Sequence, residues 1–525
     1  MRPIDLQGTF AATQVAAASL TGRCNARSLS DLDVFGARIL NVDAVPLQNY
    51  TSVVPEAQGA TPAGIWSGLN VCNITVTYAH PGRNDEINVN AWLPLNDWNG
   101  RFLASGGGGW LTGLPSDSHG PIAAQGFATA STDGGHSIWE SSSAGWALNS
   151  PGNVDLNMLQ NFASVALNDL ATIGKQVTEK FYGRPADKSY WGGCSTGGRQ
   201  GLMVAQRYPE AFDGILALAP AINWPKFIVA EMWAQHVMNR LDYYPAPEEL
   251  NAITALAMAS CDELDGVKDG IISLPGQCSF DAQTVVGKKY RDLDGAKRTI
   301  SADAAKIANE AWKGPNSEGG KYKWYGLSHD TPLTNGLVNT ECGNSSASSC
   351  VSSPFTIAEE WLKLFIVKDP TVDLTRLTDE EYFDLFHKSV QEYDSIIGTS
   401  DPDLSPFRRS GGKMITWHGT SDPLIFINGT SDYYRRVLEL DPDAADFYRY
   451  FEAPGVGHCY GGRGPYPGDA LEALIRWVED GKVPKTLNAR SSSQEGKIER
   501  RICPWPKEQK YIGGDPNLPA SFTCV

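Results

Sequence analysis

The segment Ser189-Tyr-Trp-Gly-Gly-Cys-Ser-Thr-Gly-Gly-Arg-Gln-Gly201 passes from a short β-favouring run through glycines into residues 202–207, which have a helical pattern. At its centre, Gly193-Cys-Ser-Thr-Gly197 fits Gly-x-Ser-x-Gly. In that pattern a serine stands on a sharp strand-to-helix turn that exposes its hydroxyl, and small neighbours let backbone segments approach closely. Ser195 is therefore a candidate nucleophile. An ordinary glycine-rich turn is the alternative, and the rest of the chain has to decide between them.

Periodicity around this turn indicates the fold class. Alternating apolar residues predict strands over residues 73–78, 86–93, 101–105 and 127–131, and a helical pattern covers residues 157–182. After the turn and its helix, residues 212–219 form a buried strand pattern that ends at Pro220. Strand, helix and strand in this order predict a parallel sheet covered by helices. Together with the serine turn, this predicts an α/β class protein with the α/β-hydrolase fold.

The pattern changes at about Ala221, and a chain of 525 residues is long enough for a large insertion or a second domain. Short helical patterns, among them one that predicts a helix over residues 227–237, and many aromatic residues follow, joined by long Gly/Ser/Asn-bearing connections. Strand patterns resume at residues 411–419 and 446–451, followed by a helix over 469–478. We therefore predict a catalytic domain made of residues 1–220 and 406–525, with a large inserted lid domain over residues 221–405.

Composition excludes several classes of partner. The formal charge is −16, which disfavours nucleic acid and anionic membranes but suits neutral carbohydrate or small phenolic substrates. No apolar run approaches the roughly 20 residues that cross a bilayer. The sequence indicates no organic cofactor, and it gives no information on oligomeric state.

Cysteines and glycosylation sequons indicate the compartment. The chain has ten cysteines without a zinc-type Cys-x-x-Cys pattern, and four Asn-x-Ser/Thr sequons at Asn49, Asn73, Asn344 and Asn428. This combination predicts a secreted, disulfide-bonded glycoprotein. The first residues have no apolar core of a signal peptide, so either a signal has been removed or the thiols are cytosolic and reduced. We favour secretion.

A nucleophilic serine needs a histidine base and an acid that orients it, and in this fold they follow the serine in the order acid, then histidine. Of eight histidines, His458 in Gly457-His-Cys459 lies just past a strand and among glycines, and Asp422 follows the preceding strand. His418 is so close to Asp422 that we expect it to shape the acid loop. Alone, each is an ordinary surface residue; in this order they predict the triad Ser195, Asp422 and His458.

Two cysteines connect these candidates. Cys194 immediately precedes Ser195, and Cys459 immediately follows His458. If the serine and histidine meet, their neighbours lie within disulfide reach, about 5.5–6 Å between Cα atoms. We therefore predict a Cys194–Cys459 bridge; the alternative is two unrelated buried thiols.

The Cys-Ser … Asp … His-Cys pattern resembles the tannase and fungal feruloyl esterase family of α/β-hydrolases. The resemblance covers nearly the whole chain and includes Gly106–Gly109, Thr132-Asp-Gly-Gly-His136 and Gly461-Gly462 behind the histidine. It implies a serine esterase acting through an acyl-enzyme. We expect an oxyanion hole from the amide of Thr196 and one from the glycine run, first Gly109 and then Gly108.

A second motif is the acidic segment from Cys261 to Ile272. Asp262, Asp265 and Asp269 are spaced so that they could wrap Ca²⁺, although the segment is not an EF-hand. The resemblance implies a structural calcium loop in the lid that also uses the carbonyls of Val267 and Ile271. A solvated acidic turn is the alternative.

The remaining disulfide pairings are suggested by the resemblance and by proximity in sequence. Cysteine connectivity cannot be deduced from sequence alone. The suggested pairs are Cys24–Cys72, Cys261–Cys278, Cys342–Cys350 and Cys503–Cys524.

The resemblance implies a feruloyl esterase that acts on hydroxycinnamoyl esters of plant cell-wall carbohydrate or of small alcohols, and we expect it to be secreted. Tannase is the second choice, and the motifs do not separate the two.

Trp224 and Phe227 are candidate substrate-stacking walls but are equally explained as core residues. Lys297-Arg298 resembles the dibasic pair at which many fungal tannases are cut, although such pairs are common on surfaces. A non-catalytic hydrolase-fold binding protein and a serine peptidase are the rival classes.

Overall fold

The computed structural model describes residues 20–55, 61–292, 295–343, 350–491 and 497–525. Its strands, in chain order, are β1 Arg38–Val54, β2 Gly64–Ala79, β3 Ile87–Pro94, β4 Arg101–Ser105, β5 Ala128–Thr132, β6 Leu148–Ser150, β7 Asn153–Val154, β8 Lys188–Cys194, β9 Gly214–Leu218, β10 Lys289–Arg291, β11 Lys297–Thr299, β12 Thr340–Cys342, β13 Cys350–Ser352, β14 Lys413–Gly419, β15 Tyr448–Ala453, β16 Leu487–Arg490, β17 Glu499–Ile502, β18 Gln509–Tyr511 and β19 Phe522–Cys524.

Thirteen α-helices lie between residues 120 and 480 in the described part of the chain. They are α1 Gly120–Ala123, α2 Leu156–Gln160, α3 Ala166–Tyr182, α4 Thr196–Arg207, α5 Trp224–Ala230, α6 Trp233–Leu241, α7 Pro247–Cys261, α8 Ala302–Lys313, α9 Thr356–Glu360, α10 Asp379–Ile397, α11 Ser405–Arg409, α12 Ile427–Leu440 and α13 Ala470–Asp480.

The chain forms two compact units. Unit 1 comprises the described residues of Met1–Ser141, Leu156–Ala217 and Pro406–Lys413. Unit 2 comprises the described residues of Ser142–Asp155, Leu218–Ser405 and Met414–Val525. The predicted division into a catalytic domain (residues 1–220 and 406–525) and a lid domain (residues 221–405) concerns function, and it stays a prediction.

Unit 1 is built on a mixed sheet with the strand order β1-β2-β3-β5-β4-β8-β9. The first three strands and β5 pair antiparallel, whereas β4 runs parallel to both β5 and β8. β5 is buried at every position, as expected for a strand covered on both faces. Helix α3 lies so close to the sheet that a Cβ on Gly174 would come within 2.4 Å of the Phe102 ring. The predicted strands at 73–78, 86–93, 101–105 and 127–131 are confirmed.

The helix predicted over residues 157–182 is interrupted. A π-helical turn, Asn161–Val165, separates α2 from α3. The fully buried Arg199 on α4 donates to the carbonyls of Phe162 (3.0 Å) and Ala163 (2.9 Å) within that turn. These carbonyls thus bond a side chain that belongs to the helix following the serine turn.

Unit 2 carries β14 and β15, which pair parallel from Met414↔Tyr448 to Gly419↔Ala453. The prediction of one continuous helix over residues 227–237 is wrong: α5 ends at Ala230 and α6 begins at Trp233. Glu231 lies in the break and is buried. No helix in the described part of the chain is both long and apolar enough to cross a bilayer.

Four of the suggested disulfides are confirmed. They are Cys24–Cys72, Cys261–Cys278, Cys342–Cys350 and Cys503–Cys524. Cys194 and Cys459 are also each disulfide-bonded, and no described cysteine is free. The alternative that Cys194 and Cys459 are unrelated buried thiols is therefore wrong.

Candidate active site

Ser195 occupies a strained turn in unit 1. β8 ends at Cys194, α4 begins at Thr196, and Ser195 between them has φ 61° and ψ −122°. A non-glycine residue rarely adopts a positive φ, and such strain concentrates at functional sites. This is the backbone geometry that the Gly-x-Ser-x-Gly pattern predicts.

The glycines of the turn are required by close backbone contacts. A Cβ on Gly193 would lie 2.5 Å from the carbonyl carbon of Gly197, and one on Gly107 would lie 2.0 Å from the carbonyl oxygen of Leu111. Real side chains do not tolerate such distances from backbone atoms. In contrast, a Cβ on Gly108 would meet nothing within 4 Å.

The glycine run after β4 is fastened to the serine turn. The amide of Gly197 donates to the carbonyl of Gly107 (2.9 Å), and the amide of Gly107 donates to Oε1 of Gln200 (3.1 Å). Gln200 is fully buried, and its Nε2 donates to the carbonyl of Thr112 (3.0 Å). The run therefore has a fixed position relative to α4. Sequence analysis did not identify Gln200, although it lies in the quoted segment.

This arrangement leaves amide donors beside Ser195. The hydroxyl of Thr196 donates to the carbonyl of Gly109 (2.6 Å), which ties these two residues directly together. Thr196 is the first residue of α4, where a helix has no acceptor for the amide. Within the described residues, the amides of Gly108 and Gly109 donate to no other protein atom. The predicted oxyanion donors are thus brought together in unit 1.

His458 and Asp422 are brought together in unit 2. Asp422 lies in the loop after β14, and His458 in the glycine-rich loop after β15. His458 Nδ1 is 2.7 Å from Asp422 Oδ2. The other carboxylate oxygen of Asp422 accepts the amides of Leu424 (2.8 Å) and Ile425 (2.9 Å). The carboxylate is therefore fixed in position, and it holds the imidazole.

A second imidazole contacts the same carboxylate. Nε2 of His418, on β14, is 3.0 Å from Asp422 Oδ2, and its Nδ1 is 2.9 Å from Oγ1 of Thr430. Burial of Asp422 alone would raise its pKa, but His458 and His418 outweigh burial and lower the pKa well below its usual range. Asp422 is thus ionised at neutral pH, as a residue that stabilises an imidazolium must be. His418 shapes the acid loop by direct contact.

A second buried carboxyl, Glu231, lies in the electrostatic field of Asp422. Burial raises the pKa of Glu231 well above its usual range, and the charge of Asp422 adds to that effect. The pKa values of these two buried carboxyls are therefore shifted in opposite directions. The difference arises because Asp422 has two histidine partners, which favour its charged form.

The acidic segment at residues 262–271 folds around its own amides. Asp262 accepts the amides of Asp269, Gly270 and Ile271 at 3.0–3.3 Å. Asp269 pairs with Arg500 (3.0 Å), while Oδ2 of Asp265 is buried without a hydrogen-bond partner. No group of three His, Cys, Asp or Glu side chains in the described ranges is placed to hold a metal by itself. A cation here would need the predicted carbonyls of Val267 and Ile271 as well.

Trp224 and Phe227 lie in the core of unit 2. They are 1% and 2% exposed, with ring centroids 5.5 Å apart, and Trp224 also packs edge-on against Trp361. A side chain this buried presents no face to a ligand. Both side chains are core residues, and the structure gives no support to a substrate-stacking role for either of them.

Known proteins are similar to this chain over nearly its whole length. Residues 72–525 match the family described as tannase and feruloyl esterase. A probable feruloyl esterase of Arthroderma benhamiae is 39% identical, covering 98% of this chain and 96% of its own length. A tannase of Aspergillus oryzae is 30% identical over 98% of this chain and 96% of its own.

Solved structures agree with the sequence matches. The tannin acyl hydrolase from Aspergillus niger superposes with a TM-score of 0.86 at 28% identity, covering 97% of this chain and 95% of its own. Feruloyl esterase B from Aspergillus oryzae superposes with a TM-score of 0.80 at 25% identity, covering 96% of this chain and 100% of its own. The predicted hydrolase fold is confirmed, and the chain belongs to the tannase and feruloyl esterase family.

Proposed function

We propose that the protein is a serine carboxylesterase that cleaves hydroxycinnamoyl esters through an acyl-enzyme on Ser195. Membership of the family makes it a carboxylic ester hydrolase. The observation that carries the mechanism is the 2.7 Å contact between His458 Nδ1 and Asp422 Oδ2. With the Nδ1 proton donated to an ionised carboxylate, Nε2 is left as the base.

The proposed reaction has two halves. Ser195 Oγ attacks the ester carbonyl carbon while His458 Nε2 takes the hydroxyl proton; the carbon–oxygen bond to the alcohol then breaks, and His458 returns the proton to the alcohol. Water then attacks the acyl-enzyme with the same proton transfers through His458, and the acid is released from Ser195. The imidazolium formed in each half is stabilised by Asp422.

The negative oxygen that forms in each half needs donors placed before the reaction begins. We assign this role to the amides of Thr196 and Gly109, with Gly108 as the next candidate. The 2.6 Å bond from the Thr196 hydroxyl to the Gly109 carbonyl supports this assignment, because it holds the two donor residues at a fixed separation. Gln200 supports them by fixing the glycine run.

A feruloyl group is our first choice of acyl group. The 39% identical relative is named as a probable feruloyl esterase, which supports this order. A galloyl group is the second choice, supported by the similarity to the tannin acyl hydrolase. The alcohol would be a small alcohol or the sugar of a feruloylated carbohydrate.

One sample can rank these substrates. Hydrolysis of methyl ferulate, methyl gallate and a blocked peptide is compared by kcat/KM. We expect ferulate to be cleaved best and the peptide not at all. Predominant gallate cleavage would make the protein a tannase, and peptide cleavage would overturn the esterase assignment.

We also propose secretion and glycosylation. The disulfides support an oxidising compartment. Asn49 and Asn428 are exposed and accessible to glycosylation, whereas Asn73 is partly buried and accepts a hydrogen bond from Asn90 (2.8 Å). Asn344 lies outside the described residues.

Calcium in the acidic segment is a further proposal. The buried, unpartnered Oδ2 of Asp265 is the observation that supports it. The donors would be Asp262, Asp265 and Asp269 with the carbonyls of Val267 and Ile271, and the ion would neutralise their charge.

Chelation tests this proposal directly. EGTA should lower the Tm of the wild type, and calcium should restore it. Asp265→Asn should be insensitive to both, while Glu263→Gln, an exposed change in the same segment, should behave as wild type. A wild-type Tm indifferent to EGTA, with no bound calcium in elemental analysis, would leave the solvated-turn interpretation.

A further inference from the structure

Unit 1 contains a cleft that the esterase mechanism does not use. It has a volume of about 490 Å³ and lies where β3 begins and β5 ends. We call it the β3–β5 cleft and define it by the lining residues Glu86, Asn88, Asn90, Asp133, Ser137 and Trp139. Its size is within the range of small-molecule sites, which is about 300–1,000 Å³.

The polar floor of the cleft is rigid. Asp133 Oδ1 accepts the amides of Asn88 (2.9 Å) and Gly135 (2.8 Å), and its Oδ2 accepts Nδ2 of Asn88 (2.8 Å). Asn90 is held in the same way, because its Oδ1 accepts the hydroxyl of Ser116 (3.0 Å). A ligand would therefore meet fixed polar atoms, and binding would not cost the ordering of these side chains.

The charges of the cleft select against anions. None of the described residues that line it is Lys or Arg, whereas Glu86 and Asp133 both contribute carboxyl groups. Burial raises the pKa of Asp133, with a smaller contribution from Glu86, although hydrogen bonds from Asn88 and Gly135 oppose this. Carboxyl and amide oxygens are acceptors, so the floor suits a neutral ligand rich in hydroxyl donors.

An exposed indole borders this floor. Trp139 is 78% exposed, and its amide donates to Oγ of Ser137 (3.1 Å), a local contact within the same turn. Covering a large water-exposed aromatic surface with a flat apolar surface is favourable, because both surfaces are removed from water. Sugar rings combine one apolar C–H face with a rim of hydroxyl groups, which matches an indole beside a rigid polar floor.

We propose that the β3–β5 cleft is a binding subsite for a neutral saccharide. One sugar ring stacks on Trp139 while its hydroxyls bond the polar floor around Asp133. The subsite binds carbohydrate whether or not the carbohydrate carries an ester. The proposal is therefore independent of the acyl specificity of the enzyme.

Binding of unesterified oligosaccharides tests the proposal. Xylohexaose and cellohexaose are titrated separately into the full chain carrying Ser195→Ala, with isothermal titration calorimetry as the readout. We expect saturable binding of at least one of them. Adding Trp139→Ala should weaken that binding about tenfold or more, because loss of one buried aromatic contact at a binding site has effects of this size.

Phe35→Ala is the matched control, since Phe35 is another exposed aromatic residue of unit 1 but does not line the cleft. It should bind the oligosaccharide as the parent does. Both side chains are exposed, so neither change should alter Tm. The proposal is overturned if neither oligosaccharide binds at millimolar concentration, or if Trp139→Ala binds as tightly as Phe35→Ala.

Discussion

The serine turn in unit 1 and the histidine–aspartate loops in unit 2 are stabilised by different physical means. The serine turn is fixed by backbone packing, with glycines wherever a Cβ would collide. The histidine–aspartate loops are fixed by charge, since one buried carboxylate holds two imidazoles. We therefore expect the first region to be sensitive to added atoms and the second to changed charge.

The largest effect should come from adding one methyl group to the serine turn. Gly193→Ala places a Cβ 2.5 Å from backbone of Gly197, and the backbone of both segments would have to move. We expect loss of soluble, active protein, measured by expression yield and ester hydrolysis. Gly108→Ala, whose Cβ has open space, should keep the wild-type Tm; if both variants fold equally well, steric packing does not fix the turn.

The next largest effect should come from charge at Asp422. Asp422→Asn keeps the side-chain size but removes the charge that stabilises the imidazolium. We expect kcat to fall by about 10⁴-fold, as in other hydrolases of this mechanism, with the fold retained. A fall of less than tenfold in kcat would show that Asp422 does not act on His458 in this way.

The same variant has a pH signature. The pKa of Asp422 is lowered in the folded protein, so its contribution to stability is present above the unfolded-state pKa of about 4 and is lost as pH falls through the folded value. The Tm difference between the wild type and Asp422→Asn should therefore narrow as pH falls below about 4. Gly108→Ala should show no such narrowing.

A smaller effect should come from the predicted Cys194–Cys459 bridge. Replacing both cysteines by alanine leaves Ser195, Asp422 and His458 chemically intact. We expect kcat to fall, on the order of tenfold, because misplacement of reacting groups slows the reaction without altering their chemistry. Replacing Cys503 and Cys524 in the same way is the control, and unchanged kinetics in the first variant would show that the bridge is not needed for catalysis.

The smallest effect should come from His418. Its Nε2 contacts the same carboxylate oxygen of Asp422 as His458 does, so His418→Leu removes one of the two imidazoles that position this carboxylate. We expect kcat to fall by about threefold to tenfold with KM unchanged, because a less well positioned carboxylate orients His458 less well. His418→Gln retains a donor and should restore kcat; a His418→Leu variant with a lowered Tm but an unchanged kcat would show a purely structural role.

Sequence analysis predicted the elements with strong periodicity, whereas the four confirmed disulfide pairs were suggested by the family resemblance and by proximity in sequence. It missed β1, because Pro46 and the positive-φ residue Asn49 interrupt a strand whose pairing with β2 contains bulges. It missed the break between α5 and α6 because residues 227–237 keep an apolar pattern through Glu231. The four strands from β16 to β19 are too short to give a periodic signal.

At the site, residue type and order predicted Ser195, Asp422 and His458, but not what supports them. Gln200 fastens the glycine run through contacts distant in sequence, and Thr430 reaches His418 from another element. The burial of Trp224 and Phe227 could not be inferred either, since aromatic residues near a domain boundary suit both a core and a pocket. Such contacts depend on three-dimensional packing.

The central claim is that Ser195 is the nucleophile. The most direct measurement is peptide mass spectrometry after reaction with a fluorophosphonate, with Ser195→Ala as the control. The account predicts one adduct per chain on the peptide containing Ser195, loss of esterase activity in proportion to labelling, and no adduct in the variant. Folded protein that hydrolyses methyl ferulate but carries no adduct on Ser195, or carries it on another residue, would contradict the account.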